Sequence, residues 1–166
     1  SEMCIRDSYY ITSPVLTALL EARCFSSVTV MVQKEVAQRM AAAPGSRDYS
    51  AFTVFCNYYA QPELLFDVPP SCFLPQPKVT PSVIRLNVRQ APPYPVADEE
   101  LFFRVVRASF AQRRKQLQNG LAAGFPALGK EIIGDILRNC GLSPTVRGET
   151  LDIPTFARIA AAIGRA

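Results

Sequence analysis

Three prolines in the five residues Ala91-Pro92-Pro93-Tyr94-Pro95 constrain this chain more than anything else in it. Proline fixes φ, removes a backbone donor and pushes the preceding residue toward extended geometry, so this segment suits neither helix nor sheet. Before it, apolar runs of strand and helix type alternate. Beyond Asp98 the periodicity is helical throughout. The expected organisation is therefore an α/β part over residues 9–90, a linker at 91–97 and a small all-α part over 98–166.

In the front part, Thr12 or Ser13 can cap a helix with Pro14 in its first turn and Val15, Leu16, Leu19 and Leu20 on one side. Ser27-Val28-Thr29-Val30-Met31-Val32 is an almost continuous β-branched run, which predicts a parallel strand covered on both faces. Lys34 to Met40 reads as a short helix ended by Pro44-Gly45, and Ser50 as the start of another carrying Phe52, Val54, Phe55 and Tyr58. Two more strands are expected at Leu64–Val68 and Val83–Val88. In the rear part, Asp98 with Glu99 and Glu100 makes a helix start. Ile132, Ile133, Ile136 and Leu137 form one apolar stripe ending near Gly141. Phe156, Ile159, Ala160 and Ile163 form another, with Asp152 as its cap.

Two segments carry chemistry. Ser71-Cys72-Phe73-Leu74-Pro75-Gln76-Pro77-Lys78-Val79-Thr80-Pro81 is a stiff, non-helical strap able to hold one aromatic, Phe73, in place. Tyr9-Tyr10-Ile11-Thr12-Ser13-Pro14 puts further aromatics before the first helix. Aromatics on two sides of a pocket suit a flat base drawn out of its stack. On residue type alone, a Phe73 that plugs a core accounts for the pattern equally well.

The second segment runs from Arg104 to Lys115, with five basic residues and no acid. On one continuous helix, Phe102, Phe103, Val106, Phe110 and Leu117 share an arc of about 100°. Arg104, Arg107, Arg114 and Lys115 share another. A helix apolar on one side and cationic on the other suits phosphate contact, though an ordinary solvated face looks the same.

Composition removes several classes. The net charge of +4, from 18 Lys+Arg against 14 Asp+Glu, is mild, so placement of the charges matters more than their sum. No apolar run has membrane-spanning length, and the first eight residues lack the pattern of a signal peptide. The five cysteines (4, 24, 56, 72 and 140) form no C-x-x-C pair and there is no histidine, which argues against zinc and for reduced thiols in a cytoplasmic protein. Cys72 is expected to be a small packed residue, since nothing beside it would act as its base.

The same motifs carry a family resemblance. The strap resembles the Phe-x-Pro-x-Pro-x-Val-x-Ser signature of the ribosomal RNA adenine dimethyltransferases. Further matches follow in the family's order: Tyr9-Tyr10-Ile11-Thr12-Ser13-Pro14, Val32-Gln33-Lys34-Glu35-Val36-Ala37-Gln38-Arg39, Pro44-Gly45-Ser46-Arg47-Asp48-Tyr49 and Phe110-Ala111-Gln112-Arg113-Arg114-Lys115-Gln116-Leu117. The resemblance extends from Tyr9 to the C-terminus. It implies the C-terminal half of a doubly wound, Rossmann-like class I methyltransferase sheet, followed by a helical RNA-binding domain. It implies S-adenosylmethionine as methyl donor and small-subunit ribosomal RNA, in an immature 30S particle, as substrate. A monomer with neither metal nor membrane partner is implied too. Tyr9 and Phe73 would grip the adenine; Arg104, Arg107, Arg113, Arg114 and Lys115 would face the RNA.

Departures from the family pattern set further expectations. The eight glycines are scattered, and none makes the Gly-rich turn that holds the methyl donor in such enzymes. Of the family's Asn-Leu-Pro-Tyr turn only Tyr9 is matched, with Arg6-Asp7-Ser8 before it. The chain is therefore expected to be a C-terminal fragment with a non-native leader at residues 1–8, inactive on its own. Two alternatives stand beside this reading: a large-subunit RNA methyltransferase of the antibiotic-resistance type, and a non-catalytic RNA-binding or ribosome-assembly module.

Overall fold

A computed structural model describes residues 9–112, 115–143 and 145–166, with side chains from residue 13 onward. The expected leader at 1–8 lies outside the described residues. The first helix, α1, spans Tyr9–Glu21, so Pro14 falls inside it rather than in a first turn capped by Thr12 or Ser13. One proline removes a single main-chain bond, and burial of Leu16 and Leu20, one turn apart, offsets that loss.

Strand β1 (Ser27–Gln33) passes without a loop into α2 (Lys34–Met40). After the Pro44-Gly45 turn, α3 (Ala51–Tyr59) starts at a reciprocal cap in which Ser50 and Thr53 each receive the other's backbone N–H. The Thr53 hydroxyl also donates to the Arg39 carbonyl at 2.6 Å, and Asn57 Nδ2 donates to the Met40 carbonyl at 2.9 Å. These bonds occupy carbonyls at the end of α2 and fix the α2–α3 corner. α3 runs straight into β2 (Ala60–Asp67), and β3 (Pro81–Val88) returns between the other two strands.

The sheet order is β1-β3-β2 and every pairing is antiparallel. The parallel, doubly covered β1 expected from its β-branched run is not what forms. Val28 and Val32 are buried whereas Thr29 and Met31 are exposed, so the strand is covered on one face. On β3, Ile84 and Leu86 point into the same core. Because β1 and β2 both oppose β3, they run in the same direction, with α2 and α3 as the crossover between them. A register shift between Leu64 and Phe66 brings Phe66 opposite Val83, and Met31 also faces Val83 from the other side. Met31 and Phe66 thus belong to an exposed apolar row across the strands.

Past the proline-rich segment, α4 (Glu99–Ala111) is capped by Asp98, whose carboxylate accepts the Leu101 N–H at 2.9 Å. α4 ends at Ala111, and Leu117 opens α5 (Leu117–Gly124). The single apolar arc from Phe102 to Leu117 is therefore split between two helices. A turn closed by Lys115 N–H on the Gln112 carbonyl breaks it, and the Leu117 N–H goes instead to Val146. α6 (Gly129–Asn139) buries Ile133, Ile136 and Leu137 but leaves Ile132 largely outside. α7 (Ile153–Ile163) buries Phe156, Ile159, Ala160 and Ile163 behind the Asp152 cap.

The buried side chains form one contiguous cluster that passes from the sheet side to the helical side. Its middle is aromatic. The ring of Tyr58 lies 5.1 Å from those of Phe102 and Phe103, and the Phe55 ring lies 5.5 Å from Phe103. Tyr94 and Val96 of the linker pack against this cluster, so the proline-rich segment is held on the surface.

Candidate nucleic-acid interface

The strap is a loop with pinned ends. At its base the Val68 N–H donates to the Pro81 carbonyl at 2.8 Å, and the Lys34 N–H to Thr80 at 2.9 Å. Lys34 Nζ bonds Asp67 at 2.6 Å, and the Ser82 hydroxyl donates to the same carboxylate. Those two hydrogen bonds, lysine first, hold the Asp67 carboxyl below its usual range. Between the pins a short 3-10 turn, Pro70–Cys72, delivers Phe73 in extended geometry (φ −120°, ψ 146°). Leu74 and Pro75 follow with a cis peptide bond.

Phe73 is half-buried and takes no part in the main core, so it does not plug that core. Cys72 is exposed, against the expectation of a small packed thiol, because the turn holds it on the outer side of the strap. Tyr9 lies in the first turn of α1, and its ring falls outside the described side chains.

On the helical side, Arg104, Arg107 and Lys115 are exposed. Arg104 is partly committed within the fold: Nη2 donates to the Gly124 carbonyl at 2.8 Å, and its guanidinium sits 4.4 Å from the centre of the Phe125 ring. It ties α4 to the end of α5 while keeping further N–H donors. Arg107 projects one turn further along α4. Arg113 and Arg114 lie outside the described residues. Lys115 stands in the turn that breaks the helix, so Arg107 and Lys115 do not share one helical face as the periodicity implied.

Several long-range contacts are invisible in the sequence. Glu99 accepts hydrogen bonds from Tyr58 at 3.0 Å, from Tyr59 and from Arg23 at 3.1 Å, joining α3, α4 and the segment that follows α1. Burial and the Glu99 carboxylate push the Tyr58 hydroxyl up to about 12, and the same causes push Tyr59 up as well. Opposite them, the Pro44–Tyr49 loop reaches across to the helical side. Its motif was legible, but not its partner more than a hundred residues away.

The class the fold defines is an α/β module that bears a pinned aromatic strap and is joined to helices with exposed basic side chains. The fold superposes on a dimethyladenosine transferase from Plasmodium falciparum with a TM-score of 0.83, at 22% identity, over 96% of this chain and 65% of that one. It superposes on the 23S rRNA methyltransferase ErmE with a TM-score of 0.66, at 23% identity, over 95% and 63%. The model of the ribosomal RNA adenine dimethylase family matches residues 8–153, and the chain belongs to that family.

Among relatives named "Ribosomal RNA small subunit methyltransferase A", that of Caldanaerobacter subterraneus subsp. tengcongensis is 49% identical over 156 residues, covering 93% of this chain and 57% of the relative. That of Geobacillus kaustophilus is 48% identical over 158 residues, covering 93% and 54%. The chain spans a little over half the length of these relatives.

Proposed function

We propose that this chain supplies the base-gripping strap and RNA-facing helices of an enzyme that dimethylates N6 of two adjacent adenines in small-subunit ribosomal RNA. The immature 30S particle would be its substrate. The observation that carries this reading is the identity of almost half to the small-subunit methyltransferases, maintained over 93% of the chain. Phe73 and Tyr9 provide the two faces that hold the extruded adenine. Arg104, Arg107, Arg113, Arg114 and Lys115 meet the phosphates, with residues 98–166 as the RNA-binding domain and 91–97 as its linker.

S-adenosylmethionine is the methyl donor this reading calls for, and the described residues do not fit it. β1 enters α2 at Gln33-Lys34 with no glycine, and the glycines in the left-handed region (Gly45, Gly129 and Gly141) all lie away from strand ends. We assign the donor's cradle to the part of the relatives' length that this chain does not span. Residues 9–90 then form the second half of a doubly wound sheet. The like direction of β1 and β2, with helices between them, supports that assignment.

The test is to join the first half of a relative to residues 9–166 and supply 30S particles lacking N6-dimethyladenine alongside unmethylated large-subunit RNA, with labelled methyl donor. Label in small-subunit RNA, recovered as N6,N6-dimethyladenine, is expected. Label confined to large-subunit RNA would move the assignment to the antibiotic-resistance type, and no label would remove it. The unjoined chain should show no donor binding by calorimetry.

A further inference from the structure

The Pro44-Gly45-Ser46-Arg47-Asp48-Tyr49 motif is not used by the base-gripping and phosphate-facing residues proposed above, yet it makes specific contacts between the two sides of the molecule. Tyr49 is buried and its hydroxyl donates to the Leu151 carbonyl at 2.7 Å. The Gly45 N–H donates to the Glu149 carbonyl at 2.7 Å. Both acceptors belong to or adjoin the short 3-10 turn Gly148–Thr150. That turn lies hard against α4. A Cβ on Gly148 would come within 2.6 Å of the Ser109 carbonyl oxygen, a backbone atom that cannot swing aside. The Tyr49 ring meets Phe110 edge-on at 5.7 Å, and Phe110 packs on Phe156 at 6.0 Å. Ser109 and Phe110 form the last turn of α4, directly before the basic segment 112–116.

We propose that this motif is a positioning element for RNA binding, with Tyr49 as its principal residue. Tyr49 and Gly45 grip the turn at 148–151, that turn and Phe110 hold the end of α4, and the end of α4 sets where Arg107 and Lys115 stand. The sheet side, which carries Phe73, thereby sets where the cations meet the phosphates. A loop that only closed the gap between α2 and α3 would need no hydrogen bonds to carbonyls a hundred residues away. The proposal rests on the reading of the basic segment as an RNA contact, and the test separates the two.

The experiment measures binding of the 166-residue chain to a labelled small-subunit ribosomal RNA transcript by fluorescence anisotropy, over a series of salt concentrations. It is run at a temperature where circular dichroism shows each variant folded. Lys115→Ala tests the underlying reading. It should weaken binding and flatten the plot of log affinity against log salt by about one phosphate contact. Tyr49→Phe and Gly148→Ala test the proposal. The Tyr49 hydroxyl is buried and cannot touch a phosphate, yet its loss should weaken binding about three- to tenfold and flatten the same plot. A change in melting temperature with affinity and salt slope unaltered would reduce Tyr49 to a structural role and overturn the proposal. If Lys115→Ala leaves both unaltered, the RNA-contact reading fails instead. Should Gly148→Ala not fold, the near-isosteric Tyr49→Phe decides alone.

Discussion

At half-buried Phe73, the proposed role in stacking a base can be separated from any role in folding. The residue ends a 3-10 turn on a strap pinned by Val68, Thr80 and Asp67, and lies outside the main core. Phe73→Ala should therefore change stability by no more than about 0.5 kcal/mol, as surface substitutions do. It should lower affinity for single-stranded, adenine-containing RNA about tenfold, because a stacked base is worth about 1–3 kcal/mol. Thermal unfolding and anisotropy titration check the two halves separately, and an unchanged titration would remove Phe73 from the site. The strap around Phe73 is legible because the prolines that brace it are sequence neighbours. The ion pair that anchors the strap is not, since Lys34 and Asp67 are 33 residues apart and only the folded sheet brings them together.

At the scale of elements, local signals are legible in the sequence and interruptions are not. Asp98 and Asp152 cap α4 and α7 as their residue types imply. Asp98→Ala should cost about 1 kcal/mol, seen as a lower midpoint in urea with an unchanged slope. An unchanged midpoint would mean that packing of α4 alone fixes its start. The break after Ala111 escaped notice because a helical wheel keeps counting through a turn, and Leu117 fell by chance on the apolar arc. β1 misled for a related reason. Its outward Thr29 is β-branched like its inward valines, so residue type hid an alternation that burial reveals.

Across the whole molecule, the sheet and helical sides meet through an aromatic seam, the Glu99 cluster and the Pro44–Tyr49 loop. The cluster makes the junction sensitive to alkali. Tyr58 titrates at about 12 in the fold against an ordinary value of 10, through burial first and Glu99 second. A raised value for a group that is neutral when protonated contributes stability that is complete below pH 10 and is lost as pH climbs toward 12. The melting temperature should hold level through neutral pH and fall over that window. Tyr58→Phe should flatten part of the fall, and a wild-type profile without it would deny the junction this dependence.

The two glycines on either side of the Tyr49 contact, Gly45 and Gly148, resist substitution for unlike reasons. Gly148 is a matter of volume, because a methyl group there would strike the Ser109 backbone. Gly45 has open space around it and a φ of +83°, so its constraint is one of handedness. A mirror-image alanine installed at position 45 by semisynthesis would settle into the native backbone, where its natural enantiomer would not.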